Sequence, residues 1–345
     1  MKNFIYRFIL VSAVILLSSC GGSKPVLYIY NWSDYVKEDL ITRFEKENNC
    51  KVIMDFFDSN ESMFAKLKAG ASGYDIVFPT AYMVQVMSHD GMLSEIDHSK
   101  IPNIVNIDEK YLPFALDSGM KYSVPYMLSN TGLGYLSDRV DDSFIPSWGI
   151  FGDARYAGRM TMLNDMRESI GAALKYLGYS MNSTNPDELE KAGDLLISWK
   201  KNLAKFEADQ YKNGLVSEEF IITHGYSGDI FQVMEENDKI AYEIPIEGTT
   251  VSCDSMVLLK DSKNIDLAYA FINYMLEPEV AAENIEYVYY IAPNKPAYEL
   301  VSEEIKNEPA VFLSNEMLMK SEVLLDLGED NLLYSKIWDK VKAVK

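Results

Sequence analysis

Five short segments of this chain carry the side chains that a small organic cation needs. They are Asn31-Trp32-Ser33-Asp34-Tyr35, Pro79-Thr80-Ala81-Tyr82, Asn164-Asp165-Met166-Arg167-Glu168, Gly225-Tyr226-Ser227-Gly228-Asp229 and Ser252-Cys253-Asp254-Ser255. Each brings an acid, an aromatic, or both. A charge-assisted hydrogen bond between carboxylate and ammonium contributes about 1.5–3 kcal/mol net. An aromatic face under the cation adds about 0.5–2 kcal/mol. A methylene chain with an ammonium at each end, held by acids at its ends and rings along its length, could reach micromolar affinity. That is about −8 kcal/mol after the cost of immobilisation.

Plainer readings compete at each position. Asp165 and Glu168 stand in a D-x-x-E spacing, which caps a helix N-terminus without any ligand. With 23 tyrosines in the chain, Tyr82, Tyr226 and Tyr290 are each packing residues by default. Asp254 beside Cys253 suits a turn equally well. Trp32, in a setting of Asn, Ser and Asp, is the aromatic that packing explains least. Neither H-E-x-x-H nor G-x-S-x-G occurs, and Gly225-Tyr226-Ser227-Gly228 has the wrong spacing for the latter. Neither motif therefore marks an enzyme, and nothing in the sequence suggests a cofactor.

The elements that must hold these segments follow from periodicity. Val26–Tyr30 reads as a strand, and Val36, Leu40, Ile41 and Phe44 recur at helical spacing. Val52–Phe57 is a second strand. Ser59 is the N-cap of a helix through Met63 and Leu67, stopped by Gly70. Tyr74–Phe78 is a third strand, ended by Pro79. This alternation predicts a parallel sheet with helices on its faces, where ligands sit beyond the carboxyl ends of strands. A turn-rich stretch around Val124-Pro125-Tyr126 and Gly132 suits a crossing between lobes. Helices are expected over Asp165–Leu177 and Pro186–Phe206, and strands over Phe220–Thr223, Ile240–Ile244 and Met256–Leu259. A last apolar helix, Ile265–Leu276, ends at Glu277-Pro278.

The N-terminus sets the compartment. Lys2 and Arg7 precede an apolar run, Phe8–Leu17, shorter than the roughly 20 residues a membrane span needs. Residues 1–19 read as a cleavable signal peptide. Leu17-Ser18-Ser19-Cys20 resembles a bacterial lipobox, with the lipid on Cys20 and residues 20–24 as a tether. The mature protein is then anchored to a membrane of the cell envelope, on its periplasmic side, without spanning it. The remaining chain, about 325 residues, is long enough for two lobes. A formal charge of −20 argues against nucleic acid and is compatible with steering of cations. Cys50 and Cys253, far apart in sequence, are expected to be free thiols.

At these segments the sequence resembles the periplasmic spermidine/putrescine-binding proteins of polyamine ABC transporters. The resemblance runs over nearly the whole mature chain. It is carried by Tyr30-Asn31-Trp32-Ser33-Asp34-Tyr35-Val36, Asn60-Glu61-Ser62-Met63-Phe64-Ala65-Lys66-Leu67, Tyr74-Asp75-Ile76-Val77, Val124-Pro125-Tyr126, Asp165-Met166-Arg167-Glu168 and Phe271-Ile272-Asn273-Tyr274-Met275-Leu276. It implies an α/β, two-lobed periplasmic-binding-protein fold of type II, each lobe a mixed sheet flanked by helices and joined by a hinge. Lobe 1 is then 25–129 with 253–298, and lobe 2 is 130–252 with 299–345.

The resemblance also implies a monomer that captures a polyamine and hands it to permease subunits. Trp32 and Tyr35 match the family's first-loop aromatics, with Ser33 and Asp34 as polar contacts. Thr80 and Tyr82 match a hydroxyl and an aromatic wall. Asp165 and Glu168 match the paired acids of the second lobe, and Asp254 the acid that anchors an amine. Tyr226 stands where the family has a tryptophan, Asp229 resembles the acid of the putrescine-selective branch, and Tyr290 matches a cleft tyrosine. Ser252 and Leu324 replace an expected tryptophan and glutamine, which leans the expectation toward putrescine. The alternative is a ferric-ion or other small-solute-binding lipoprotein, since Tyr289-Tyr290 is the kind of adjacent pair that ferric-binding transport proteins use. His89, His98 and His224 offer that reading no evident partner.

Overall fold

The computed structural model describes residues 24–344 apart from Asp142. The expected signal peptide and Cys20 lie outside the described residues. Strand β1 (Val26–Trp32) runs parallel to β2 (Lys51–Phe57) and β3 (Ile76–Val77). Helices α1 (Glu38–Glu47) and α2 (Asn60–Lys68) connect them, and α3 (Ala81–His89) follows β3. Ser59 caps α2 as its type dictates, its hydroxyl accepting the Ser62 N–H at 3.2 Å. Gly70, at φ 95°, terminates it in the left-handed region.

The spine of the molecule is β4 (Ser123–Leu136), a fourteen-residue strand. The sequence reading expected a turn-rich crossing there. Pro125 is accommodated by a register shift between Pro125 and Met127, where a missing N–H leaves no gap in the ladder. Gly132 is required by close approach: a Cβ there would lie 2.5 Å from the Tyr242 hydroxyl and 2.7 Å from the Glu243 carbonyl oxygen.

Beyond β4 come β5 (Met160–Leu163), α4 (Met166–Tyr176), α5 (Pro186–Lys200), β6 (Leu203–Glu207), α6 (Tyr211–Val216), β7 (Ile222–Tyr226), α7 (Ser227–Met234), β8 (Ile240–Glu243) and β9 (Val251–Leu258). The chain closes with α8 (Ile265–Met275), α9 (Pro278–Val288), α10 (Glu303–Lys306), α11 (Asn315–Lys320) and α12 (Asn331–Ala343). The strand order is β2-β1-β3-β9-β4-β7-β5-β6, with β8 also on β4. The first half of β4 pairs with β9 and its second half with β7 and β8. One strand thus belongs to both halves of a mixed α/β sheet, as a two-lobed type II fold requires.

Three expectations about elements are corrected. Pro186–Phe206 is not one helix: α5 ends at Lys200, and residues 203–207 form β6 because they pair in parallel with β5, a tertiary ladder that overrides the helical period. Ser252–Ser255 is not the turn that Asp254 beside Cys253 could have made but the first half of β9. Pro278 does not only end α8; it occupies the first turn of α9, where its missing N–H is harmless.

Two large apolar cores lie on either side of the crossing. The first gathers Leu27, Ile29, Phe44, Val124, Phe271 and Ile285. The second gathers Trp148, Phe151, Leu196, Trp199, Ile222 and Tyr334. Val301, Ile305, Val311 and Leu313 pack into the first core, and Ile337 and Val341 into the second. The chain therefore passes between cores a third time near Glu322. There Val251 N–H donates to the Glu322 carbonyl at 3.0 Å, and Glu322 N–H to the Thr249 carbonyl at 2.9 Å. Cys50 and Cys253 are buried and free.

Candidate functional site

A cleft of about 820 Å³ opens where the two halves of the sheet face each other. All twelve side chains expected from sequence line it: Trp32, Ser33, Asp34, Tyr35, Thr80, Tyr82, Asp165, Glu168, Tyr226, Asp229, Asp254 and Tyr290. Ser252 and Leu324 line it too. Residues separated by more than 200 positions meet because β1, β3 and β9 are neighbours in one half, while α4 and α7 begin at the cleft in the other.

On the first wall Asp254 is the centre. The Tyr35 hydroxyl donates to its carboxylate at 2.7 Å, and Thr80 bridges it from the end of β3. Burial raises the Asp254 pKa to about 6, against the downward pull of the Tyr35 and Thr80 hydrogen bonds. Tyr35 is held from behind: Tyr126 donates its hydroxyl to the Tyr35 carbonyl at 2.6 Å, and Asn284 donates to that Tyr126 oxygen at 2.7 Å. The Tyr35 ring meets Tyr126 and Tyr290 edge-on, at 5.3 and 5.7 Å between centroids. Trp32 is oriented by its indole N–H, which donates to the Phe78 carbonyl at 2.9 Å. Thr80 is fixed at both ends by Asn60, its N–H donating to the Asn60 amide oxygen at 3.1 Å while that amide nitrogen donates to its hydroxyl at 2.7 Å. Asp34 sits at φ 53°, a left-handed turn that Asp tolerates better than most residues.

On the second wall Asp165 is the N-cap of α4. One of its oxygens accepts the N–H groups of Arg167 and Glu168 at 2.8 and 2.9 Å, so the capping reading holds for Asp165. It fails for Glu168, whose carboxylate turns instead to the crossing strands. It accepts hydroxyl hydrogen bonds from Thr131 at 2.9 Å and Thr250 at 2.8 Å. Burial, and Asp165 beside it, push the Glu168 pKa up to about 8. Asp229 lies in the first turn of α7, accepts the Tyr211 hydroxyl at 2.5 Å, and is raised above its ordinary pKa by burial against the pull of Lys212. Gly228 permits the close seating of Tyr290: a Cβ there would meet the Val288 carbonyl at 2.3 Å and the Tyr290 ring at 2.6 Å.

Several cleft residues carried no sequence signal. Lys212 stands in the first turn of α6 with Asp209 just before it, Glu61 accepts the Tyr82 hydroxyl at 2.9 Å, and Gln232 and Trp338 come from helices with other apparent duties. Tyr289 and Tyr290 diverge. Tyr290 faces the cleft, while Tyr289 takes the left-handed conformation at φ 56°, donates to Glu235 and packs on Phe231 at 5.8 Å. Adjacent tyrosinates cannot share one ion from there. His224 is buried against Trp148 at 4.6 Å, away from the cleft. What remains is a wall of carboxylates interleaved with tyrosine rings, a surface for an extended cation.

Comparison with known proteins gives a consistent result. Residues 39–313 match the family model described as bacterial extracellular solute-binding protein. The putrescine/cadaverine-binding protein of Pseudomonas aeruginosa is 34% identical over 349 residues, covering 97% of this chain and 99% of that one. The spermidine/putrescine-binding periplasmic protein of Escherichia coli is 35% identical, covering 99% of both. Among solved structures, the TpPotD lipoprotein of Treponema pallidum superposes with a TM-score of 0.83 at 37% identity, covering 92% of this chain and 99% of that one.

Proposed function

The chain belongs to the bacterial extracellular solute-binding proteins, and from this we propose that it captures putrescine and/or spermidine in the cleft and delivers it to an ABC transporter. The observation that carries the reading is the pairing across the cleft of Asp254 on one wall with Asp165 and Glu168 on the other. Tyr35, Tyr226, Tyr290 and Trp32 supply ring faces between them. In this reading each ammonium of the ligand meets a carboxylate that burial has left short of counter-charge. The methylenes lie on the rings. Ser33, Asp34, Thr80, Tyr82 and Asp229 complete the polar lining. Relatives whose names specify putrescine, cadaverine or spermidine support the ligand class. The divergence of Tyr289 from Tyr290 removes the basis of the ferric alternative. The protein is a carrier that returns its ligand unchanged.

The proposed lobes are residues 25–130 with 251–320, and 131–250 with 322–345, the segment 299–313 staying with the first core it packs into. Ligand contacts from both walls then favour a closed form. The lipobox at Leu17-Ser18-Ser19-Cys20 supports a lipid on Cys20 that anchors the protein to a membrane of the cell envelope, on its periplasmic side. Thermal melting tests the ligand class: putrescine or spermidine at 100 times its Kd adds about 2.7 kcal/mol of stability. A melt that ferric ion raises and neither amine moves sinks the proposal.

A further inference from the structure

Two cationic side chains line the cleft among the described residues, and they behave differently. Arg167 is turned into the base of the second lobe, donating to the Leu325 carbonyl at 3.0 Å and to Asn182 at 2.9 Å, with its guanidinium over Tyr334. Lys212 instead brings its ammonium 3.2 Å from Asp209 and 3.6 Å from Asp229. Its side chain is only 20% exposed. The other Asp229 oxygen is taken by the Tyr211 hydroxyl. Asp229 is thus already matched by an ammonium that belongs to the protein. The Lys212 ammonium also feels Asp34 on the facing wall.

Resting on the polyamine reading, we propose that Lys212 is a selectivity residue: its ammonium holds the place at Asp229 that a further ammonium of a longer ligand would take. A diamine finds Asp254 at one end and the Asp165–Glu168 pair at the other, and meets Asp229 only through Lys212. A triamine has a third charge to house. It must drive Lys212 off Asp229 or leave an ammonium in the cleft beside a like charge, and burying an unmatched cation is unfavourable either way. The cleft therefore selects against the third amine, even though the count of acids alone would welcome it.

Calorimetric titration of the purified mature protein with putrescine and with spermidine tests this on the wild type, Lys212→Gln, Lys212→Met and Lys212→Arg. Lys212→Gln and Lys212→Met, the second keeping the apolar stem, should each raise the spermidine-to-putrescine affinity ratio at least tenfold. Lys212→Arg should restore the wild-type ratio. Melting curves establish that each variant is folded. A ratio within twofold of wild type in both neutral variants overturns the selectivity role while leaving polyamine binding intact. A wild type that binds spermidine ten times more tightly than putrescine overturns it as well. A wild type that binds neither amine removes the underlying reading instead.

Discussion

Binding should expel protons, and the amount follows from two buried carboxyls. In the free protein Asp254 has a pKa of about 6 and Glu168 of about 8. An alkylammonium, with a pKa near that of lysine at about 10.4, stays charged throughout, and it binds the ionised carboxylates. Both pKa values are raised by burial, and a neighbouring ammonium draws them down, so binding releases protons and affinity rises with pH. Between pH 7.5 and 5 the ionised fraction of Asp254 falls to about one-tenth, which weakens binding about tenfold, or about 1.4 kcal/mol. Glu168 is about one-quarter ionised at pH 7.5 and about one-thousandth at pH 5. If the ligand draws on its ionised form, the loss grows by a further factor of about 200. The logarithm of Kd should therefore fall with slope near one between pH 6 and 8 and near two below pH 6. Calorimetry from pH 5 to 8.5, in two buffers of different ionisation heat, reads both the slope and the proton count. Affinity flat across this range, or proton uptake on binding, refutes the assignment of these acids to the ligand.

Other outcomes follow from the same geometry. The raised pKa of Asp254 means that its ionisation destabilises the free fold as pH rises from about 4 through 6, by up to about 3 kcal/mol at pH 7.5. Asp254→Asn should raise the melting temperature of the unliganded protein at pH 7.5 but not at pH 4, and weaken putrescine at least tenfold; an unchanged melt at pH 7.5 contradicts this. His224 is fully buried with neither ring nitrogen hydrogen-bonded, and burial lowers its pKa to about 3. Its neutral form suits the fold above pH 6.5, and stability is lost as pH falls below that at about 1.4 kcal/mol per unit. His224→Phe should gain about 2 kcal/mol over wild type at pH 5 relative to their difference at pH 7.5, measured by urea unfolding. Small-angle scattering should show compaction on saturation with ligand, and an unchanged radius of gyration counts against closure around the Thr131 and Thr250 crossings.

What sequence could show divides along physical lines. The first lobe's strand-helix alternation was legible because β1, α1, β2 and α2 each satisfy a local period and a local cap, as at Ser59. β4 was not. Its Pro125, Gly132 and Gly134 speak locally for turns, and only pairing with β9, β7 and β8 makes them a strand. β6 escaped for the same reason. In the cleft, most of the expected residues lie near the ends of strands or helices, where local composition marks them in sequence, whereas Asp254 lies inside β9. Lys212 could not be found: a lysine in the run Asp209-Gln210-Tyr211-Lys212 looks like any solvated turn, and its meaning depends on Asp229, brought beside it by the fold. Asp165 caps α4 and lines the cleft, whereas Glu168 kept only the spacing of a capping box. No local rule connects Glu168 to Thr131 or Thr250.

That last connection constrains how such a protein can diversify. Glu168 faces the cleft and also accepts hydroxyls from both crossing strands. A descendant that shed this acid to welcome an uncharged solute would strand two buried threonines at the place where the lobes turn. The proposed closure would suffer along with the proposed ligand's hold. Change is easier along Lys212 and Asp229, whose hydrogen-bond and ion-pair partners, Tyr211, Asp209 and each other, lie within one lobe. Duplicated copies should accordingly drift apart first on that wall, acquiring new ligand lengths and charges while the acid at the crossing stays where it is.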